Sequence, residues 1–436
     1  MAFPYLEAVI GFKILMYFFE TYLEVRQLRA NKLTTLPKTL EGVISEDTFQ
    51  KTRSYSLDHS RFHFVCQFVT IVRDSAILFF GVMPWFWKKS EDFMTLIGLN
   101  ADNEILHSIA FLAGCMILLQ ITKLPLSLYF LFVLEAHHDC NKSTPAYTAG
   151  VFFVNMIKGI IVAALVGPPI VTAIIYLVPK GGPYLAIYVW ALGNVFIIYE
   201  QLIAPLFKKI TPVSIFVLLI ILKLICLKVN SEKIEELAAS LKFPARKLFV
   251  VDGSKWSNKH SNVQMTGLLH NTGILLNDKI VQQDKNDEEV LAVIAHELGH
   301  WKLNHFVPLY VAMQFVPLLN GGGFTLARNS TDLFQSFGFH SQPVIIGLII
   351  YLLIAAPLNY IVMFGRNHLF RSIEFQADAF AVKLGYKSAL RSVLVKKQME
   401  NLMEFNADPW YYAYRVIQPP AVLRLTAMDE LDKKAD

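Results

Sequence analysis

The 436-residue chain is 54% hydrophobic and only 17% charged, with a net charge of +5 and a mean hydropathy of +0.42. Soluble domains carry about 25% charged residues, so the composition excludes an ordinary soluble enzyme and indicates an integral membrane protein with a polar portion. The dispersed positive charge contains no basic tract of the kind that binds nucleic acid, and the four cysteines form no CxxC pair, which leaves no cysteine zinc site or disulfide framework.

Apolar runs near the ~20 residues that a helix needs to cross hydrocarbon fall at about 7–25, 62–87, 105–134, 150–178, 183–206, 306–320 and 341–364. The first has no basic n-region or small-residue cleavage site and reads as a retained span, not a removed leader. The sixth is short; either it starts at 306 or it continues the helix before it. The loop "RQLRANK" after the first run belongs in the cytosol by the positive-inside rule. Seven spans then place the N-terminus in the lumen and residues 207–305 and the C-terminus in the cytosol. The terminal "KKAD" has the spacing of a dilysine endoplasmic-reticulum retrieval signal, which is read only from the cytosol. The same topology makes Asn329-Ser330-Thr331 a lumenal glycosylation sequon and leaves Asn141-Lys142-Ser143 cytosolic. The expected organisation is an N-terminal membrane region over 1–206, with five spans and a cytosolic loop at about 26–61. A cytosolic region follows over 207–305, then spans six and seven over 306–364 and a C-terminal cytosolic region over 365–436.

The stretch 213–228, "VSIFVLLIILKLICLK", is apolar but short, and Lys223 in its middle is expensive in hydrocarbon. It reads as a re-entrant or surface-lying insert, or as a translated short intron. The polar part follows. "SEKIEELAASLKF" is an amphipathic helix with Ser231 as its cap. "KLFVV", "NVQMTGLL" and "GILLN" are short strand-like runs broken by Gly and Asn. "NDEEVLAVIAHELGHWKL" is a helix capped by Asn286 or Asp287, with acids in its first turn.

That last helix carries H-E-x-x-H. His296 and His300 are one turn apart, so both imidazoles project from one face and can share a zinc ion. Glu297, offset by one residue, faces the water that the metal activates and can serve as general base. A catalytic zinc needs a third protein ligand and an open position. "RSIEFQADAFAVKLG" supplies a carboxylate pair at i, i+4: Glu374 as ligand, and Asp378 to accept from the free N–H of a ligand histidine. The alternative for that pair is a solvated acidic face, which the apolar flanks disfavour. His305 reads as a helix-end histidine and His137–His138 as an interfacial pair, though the latter could bind metal. Asn262 precedes a strand-like run whose edge could pair with an extended peptide, and either contacts substrate backbone or is an ordinary turn residue. Arg424 could stabilise an oxyanion or hold a neighbouring acid.

In order and over nearly the whole chain, these segments resemble the type I CAAX prenyl proteases, integral-membrane zinc endopeptidases of the M48 family. "EDTFQKTRSYSLDHSRF", "KLPLSLYFLFVLEAHH" and "LIAPLFKKITP" are similar to its membrane region. "VLAVIAHELGHWKLNH" and "FRSIEFQADAFAVKLG" match its two metal motifs, and "QPPAVLRL" occupies its C-terminal motif. The resemblance implies seven transmembrane helices forming a barrel around a large chamber, with a small α+β gluzincin-type zinc protease domain on the cytosolic side. It implies the endoplasmic-reticulum or inner nuclear membrane and one zinc per chain. The implied substrate is a prenylated CAAX protein that loses its AAX tripeptide, with a second upstream cut in some members. By position His296, His300 and Glu374 would be zinc ligands, Glu297 the base and Asp378 the acid behind a ligand. Asn262 would be a substrate contact and Arg424 the C-terminal active-site arginine. Three departures stand out: Gln418 where the family has a histidine, "VQMTGLL" in place of an aromatic-rich strand, and the 213–228 insert. Gln418 motivates the alternative of a catalytically impaired, zinc-binding paralogue that binds prenylated proteins or clears membrane-stuck chains.

Overall fold

A computed structural model describes the chain outside residues 1–2, 43, 139–144, 199–210, 213–230, 244–247, 252–262, 267–272, 278–286, 401–403 and 433–436. Asn262, the 213–228 insert, Asn141 and the KKAD terminus therefore lie outside the described residues. In chain order the helices are α1 (Tyr5–Asn31), α2 (Glu46–Phe79), α3 (Val82–Leu96) and α4 (Glu104–Tyr129). From α4 the chain runs through a π-helical stretch, Phe130–Leu134, into a last turn, Glu135–His137. Next come α5 (Pro145–Gly181), α6 (Leu185–Ile198), strand β1 (Thr211–Pro212), α7 (Ser231–Ser240), β2 (Leu248–Val251), β3 (Val263–Thr266) and β4 (Gly273–Asn277). The C-terminal part is helical: α8 (Asp287–Lys302), α9 (Phe306–Ala327), α10 (Thr331–Ser336), α11 (Val344–Ile354), α12 (Ala356–Lys383), α13 (Lys387–Glu400), α14 (Pro409–Arg415) and α15 (Ala421–Asp432).

Among the described residues three helical runs are long and apolar enough to cross a bilayer, and a fourth qualifies if α11 and α12, bent by 59° at Ala355, form one span. The run Ala146–Val195 has 50 residues. At about 1.5 Å per residue it is more than twice as long as a ~30 Å hydrocarbon core, so it has room for the span expected at 150–178 and the start of the one expected at 183–206, whose end lies outside the described residues. Gly182, with φ +49°, lies at the break between α5 and α6. The apolar run 62–87 is not one helix. Gly81 adopts φ +59° and ends α2 at Phe79, and α3 starts at Val82; hydropathy does not register a left-handed residue.

The described chain forms two compact units. The first comprises Met1–Leu28, Ser54–Val189 and Pro317–Ile361. Its interior holds Phe111, Phe334, Ile346 and Ile350, yet it leaves Phe18, Phe68, Phe79, Ile161 and Leu165 exposed. Water disfavours so much outward apolar surface, whereas lipid tolerates it because each helix satisfies its own backbone.

The second comprises Arg29–Arg53, Trp190–Val316 and Val362–Asp436. It has a conventional core in which Phe49, Ile234, Ile294, Leu298, Leu390 and Leu425 are buried together. Among its described residues four strands pair in the order β1-β2-β4-β3, with β2 and β4 parallel and the other pairs antiparallel. β3 ends the sheet and runs beside α8. α7 stops because Lys242 takes φ +63°, which allows the Phe243 N–H to reach the Ala238 carbonyl.

Candidate active site

The site is built on α8, α12 and α15, all in the second unit. α8 forms as its sequence requires: three acids, Asp287, Glu288 and Glu289, complement the positive end of the helix dipole. Val290, Leu291, Ile294, Ala295 and Leu298 make the buried stripe, and the histidine pair borders it. Glu289 is itself buried and ties the helix to α13, accepting from Ser392 Oγ at 2.6 Å and from Lys396 Nζ at 2.6 and 2.8 Å.

Gly299, inside the motif, sets how closely α12 approaches. A Cβ there would lie 3.1 Å from Phe380 Cβ and 3.3 Å from Ala377 Cα. The missing side chain lets the two backbones cross closely enough for the acids of α12 to reach the histidines of α8.

The histidines meet Glu374 there. His296 Nε2 and His300 Nε2 are 3.2 Å apart, and they stand 3.6 and 3.7 Å from the two Glu374 oxygens. In a tetrahedral site with ~2.0–2.1 Å bonds the donors are separated by about 3.3–3.4 Å. The three residues therefore fit a metal ion with only small adjustments. All three offer a ligand atom within 4.8 Å of the others.

Behind the donors is a chain of buried charges. Asp378 Oδ1 lies 2.9 Å from His296 Nδ1, to one side of the ring N–H direction. Arg424 donates to the same carboxylate from Nε at 2.7 Å and Nη2 at 2.5 Å, and its Nη1 is 3.6 Å from Glu374. Arg424 thus holds the neighbouring acid, the second of the two roles its sequence left open. The Pro420 carbonyl accepts from the Arg424 N–H, so Pro419-Pro420 starts α15 one turn before the guanidinium. Gln418 is exposed in the bend just ahead.

His300 has a partner on its other nitrogen. Asn304 takes φ +58° and ends α8, and the His305 N–H then bonds the His300 carbonyl. That turn sets His305 Nδ1 3.0 Å from His300 Nδ1, with Gln376 Oε1 3.3 Å from its Nε2. It also separates α8 from α9, so the apolar helix after the motif is a new element. His305 sits at the helix end, as expected from sequence; its contact with His300 was not foreseen. An Asn placed just after the last helical lysine was the available signal.

Electrostatics separate the roles. Burial, reinforced by the Glu374 carboxylate, pushes the Glu297 carboxyl up to about 7. Burial, with His296 and His305 nearby, lowers His300 to about 3, so it is a neutral donor at physiological pH. His296 is raised: burial is the largest influence and works against it, but the Asp378 and Glu374 carboxylates together outweigh it. Two neutralisable imidazoles and a carboxylate converge on one point, with a separate proton-holding acid beside them. In a chain of long apolar helices this is the site of a membrane metallopeptidase.

Comparison with known proteins agrees. Residues 26–209 match the model of the CAAX prenyl protease N-terminal region, five membrane helices, and residues 229–431 match peptidase family M48. The chain is 56% identical to a CAAX prenyl protease 1 homolog of Arabidopsis thaliana, over 100% of both chains. It is 35% identical to the human homolog, covering 97% of this chain and 94% of that one. The crystal structure of S. mikatae Ste24p matches with a TM-score of 0.79 and 29% identity, over 98% of this chain and 100% of that one. The chain belongs to the M48 family of CAAX prenyl proteases.

Proposed function

We propose that this protein is a zinc endopeptidase that removes the AAX tripeptide from prenylated CAAX proteins. It works in the endoplasmic-reticulum or inner nuclear membrane, with seven spans surrounding a chamber and an α+β gluzincin-type protease region on the cytosolic side. The convergence of His296, His300 and Glu374 beside a half-buried Glu297 carries the reading. Bound zinc supplies Lewis acidity at the scissile carbonyl and acidifies water. Every other step falls to side chains of this chain. His296, His300 and Glu374 hold the ion. Asp378, fixed by Arg424, orients His296, and His305 orients His300. Glu297 takes the proton from the attacking water and passes it to the departing amine; a carboxyl raised by burial suits both transfers.

β3, at the sheet edge beside α8, is suited to pair with an extended substrate backbone, and Asn262 directly precedes it in sequence. The test is release of a tripeptide from a farnesylated CAAX peptide by the purified protein, followed by mass spectrometry. Chelator should abolish it and added zinc restore it. Release that persists after the metal is removed would refute the reading. Metal binding without any release would favour the impaired paralogue that Gln418 suggests.

A further inference from the structure

We propose that Asp58, His137 and His138 form a second binding site for a zinc-class divalent cation, in the first compact unit. The inference does not rest on the protease reading. Asp58 lies on α2 and the histidines end the helix that starts as α4, so 79 residues of sequence separate donors that the fold brings together. In a regular helix consecutive side chains point about 100° apart and do not converge. Here the helix is first re-registered by the π-helical stretch Phe130–Leu134 and then stops at His137, with His138 at φ −100° and ψ 13°. π-Helical turns recur at functional sites. The two rings end with centroids 4.9 Å apart and planes at 83°.

The donor geometry suits a metal. His138 Nε2 is 3.1 Å from Asp58 Oδ2, close to the donor separation of about 3.3 Å in a tetrahedral site. One ligand atom from each of the three residues lies within 4.8 Å of the others, and exposed His137 can turn inward to close the remaining gap. Arg61 holds the other Asp58 oxygen at 3.0 Å, which fixes the carboxylate so that Oδ2 faces the rings. Tyr55 packs edge-on against His138, centroids 5.4 Å apart.

The three donors are on the wall of a cavity of about 640 Å³ that Phe62, Tyr129 and Leu134 also line. The protein would supply three ligands, leaving a fourth position open to this cavity. Two imidazoles and one carboxylate select zinc over magnesium or calcium, which prefer all-oxygen sets. Bound there, the ion would clamp α2 to the end of the α4 helix.

The test is metal counting on the full-length protein in detergent, stripped with chelator, reloaded with zinc, washed and analysed by mass spectrometry. Wild type should hold two zinc ions per chain. His300→Ala and the double variant His137→Ala/His138→Ala should each hold one, and the double variant should keep tripeptide release. Asp58→Asn, a milder change, should also fall to one while eluting as wild type on gel filtration. Cobalt substitution should show visible bands that survive His300→Ala and vanish when Asp58→Asn is added to His300→Ala. A zinc content unchanged from wild type in both Asp58→Asn and the double histidine variant would overturn the proposal. A failure of tripeptide release with two ions still bound would count against the protease reading alone.

Discussion

Two histidine pairs in this chain are assembled in opposite ways. His296 and His300 sit inside a buried helix at i, i+4, and helix geometry alone puts their rings on one side. His137 and His138 are adjacent, and only the end of their helix brings them together. Behind the first pair lies a closed network in which each buried charge has a buried partner: His296 with Asp378, Asp378 with Arg424. The second pair is backed by Asp58 and Arg61, both in reach of solvent. Burial therefore makes the first site rigid and costly to disturb, whereas the second should tolerate change and depend on its ion for order.

The largest effect on stability should come from Arg424→Ala. It strands Asp378 in the interior, and breaking a buried pair in this way costs about 3–5 kcal/mol; chemical denaturation of the metal-free protein measures it. Asp378→Asn keeps the volume but loses the charge that orients His296, so zinc affinity should drop about 10–100-fold in competition with a chromogenic chelator.

A pH effect comes next. The Glu297 carboxyl is at about 7 in the folded metal-free protein and at the ordinary 4.5 when unfolded. Between those values the unfolded chain gives up a proton that the folded chain keeps, so stability falls as pH rises through this window. Metal-free Glu297→Gln escapes that penalty. It should melt several degrees above wild type at about pH 8 and close to it at about pH 5. The smallest effect belongs to the other region: Asp58→Asn should shift metal-free stability by less than about 1 kcal/mol, as for other exposed ion pairs. A larger shift would show that the helix-end cluster is structural without its ion.

The legible parts of the sequence were those governed by local periodicity. The acidic first turn, the apolar stripe and the histidine spacing located α8, which runs Asp287–Lys302. Short strand-like runs broken by Gly and Asn located β2, β3 and β4. The i, i+4 spacing put the two carboxylates on one helix face, and in the fold Glu374 lies near both histidines while Asp378 is buried. What stayed hidden depended on tertiary approach or on one backbone angle. Nothing local ties Arg424 to Asp378, 46 residues away. Gly299 read as part of a motif, and only the position of Phe380 shows that it is a contact point. Gly81 and Asn304 each break a helix through a positive φ, which hydropathy averaging cannot detect.

In the proposed mechanism the half-buried Glu297 carboxylate does the proton transfer while three other residues hold the metal. Turnover of a farnesylated CAAX peptide by Glu297→Gln, with zinc content measured on the same sample, tests it most directly. Zinc content should match wild type while tripeptide release falls by at least ~10²–10⁴-fold, the range that removal of a general base produces. Release near the wild-type rate from a fully loaded Glu297→Gln sample would contradict it.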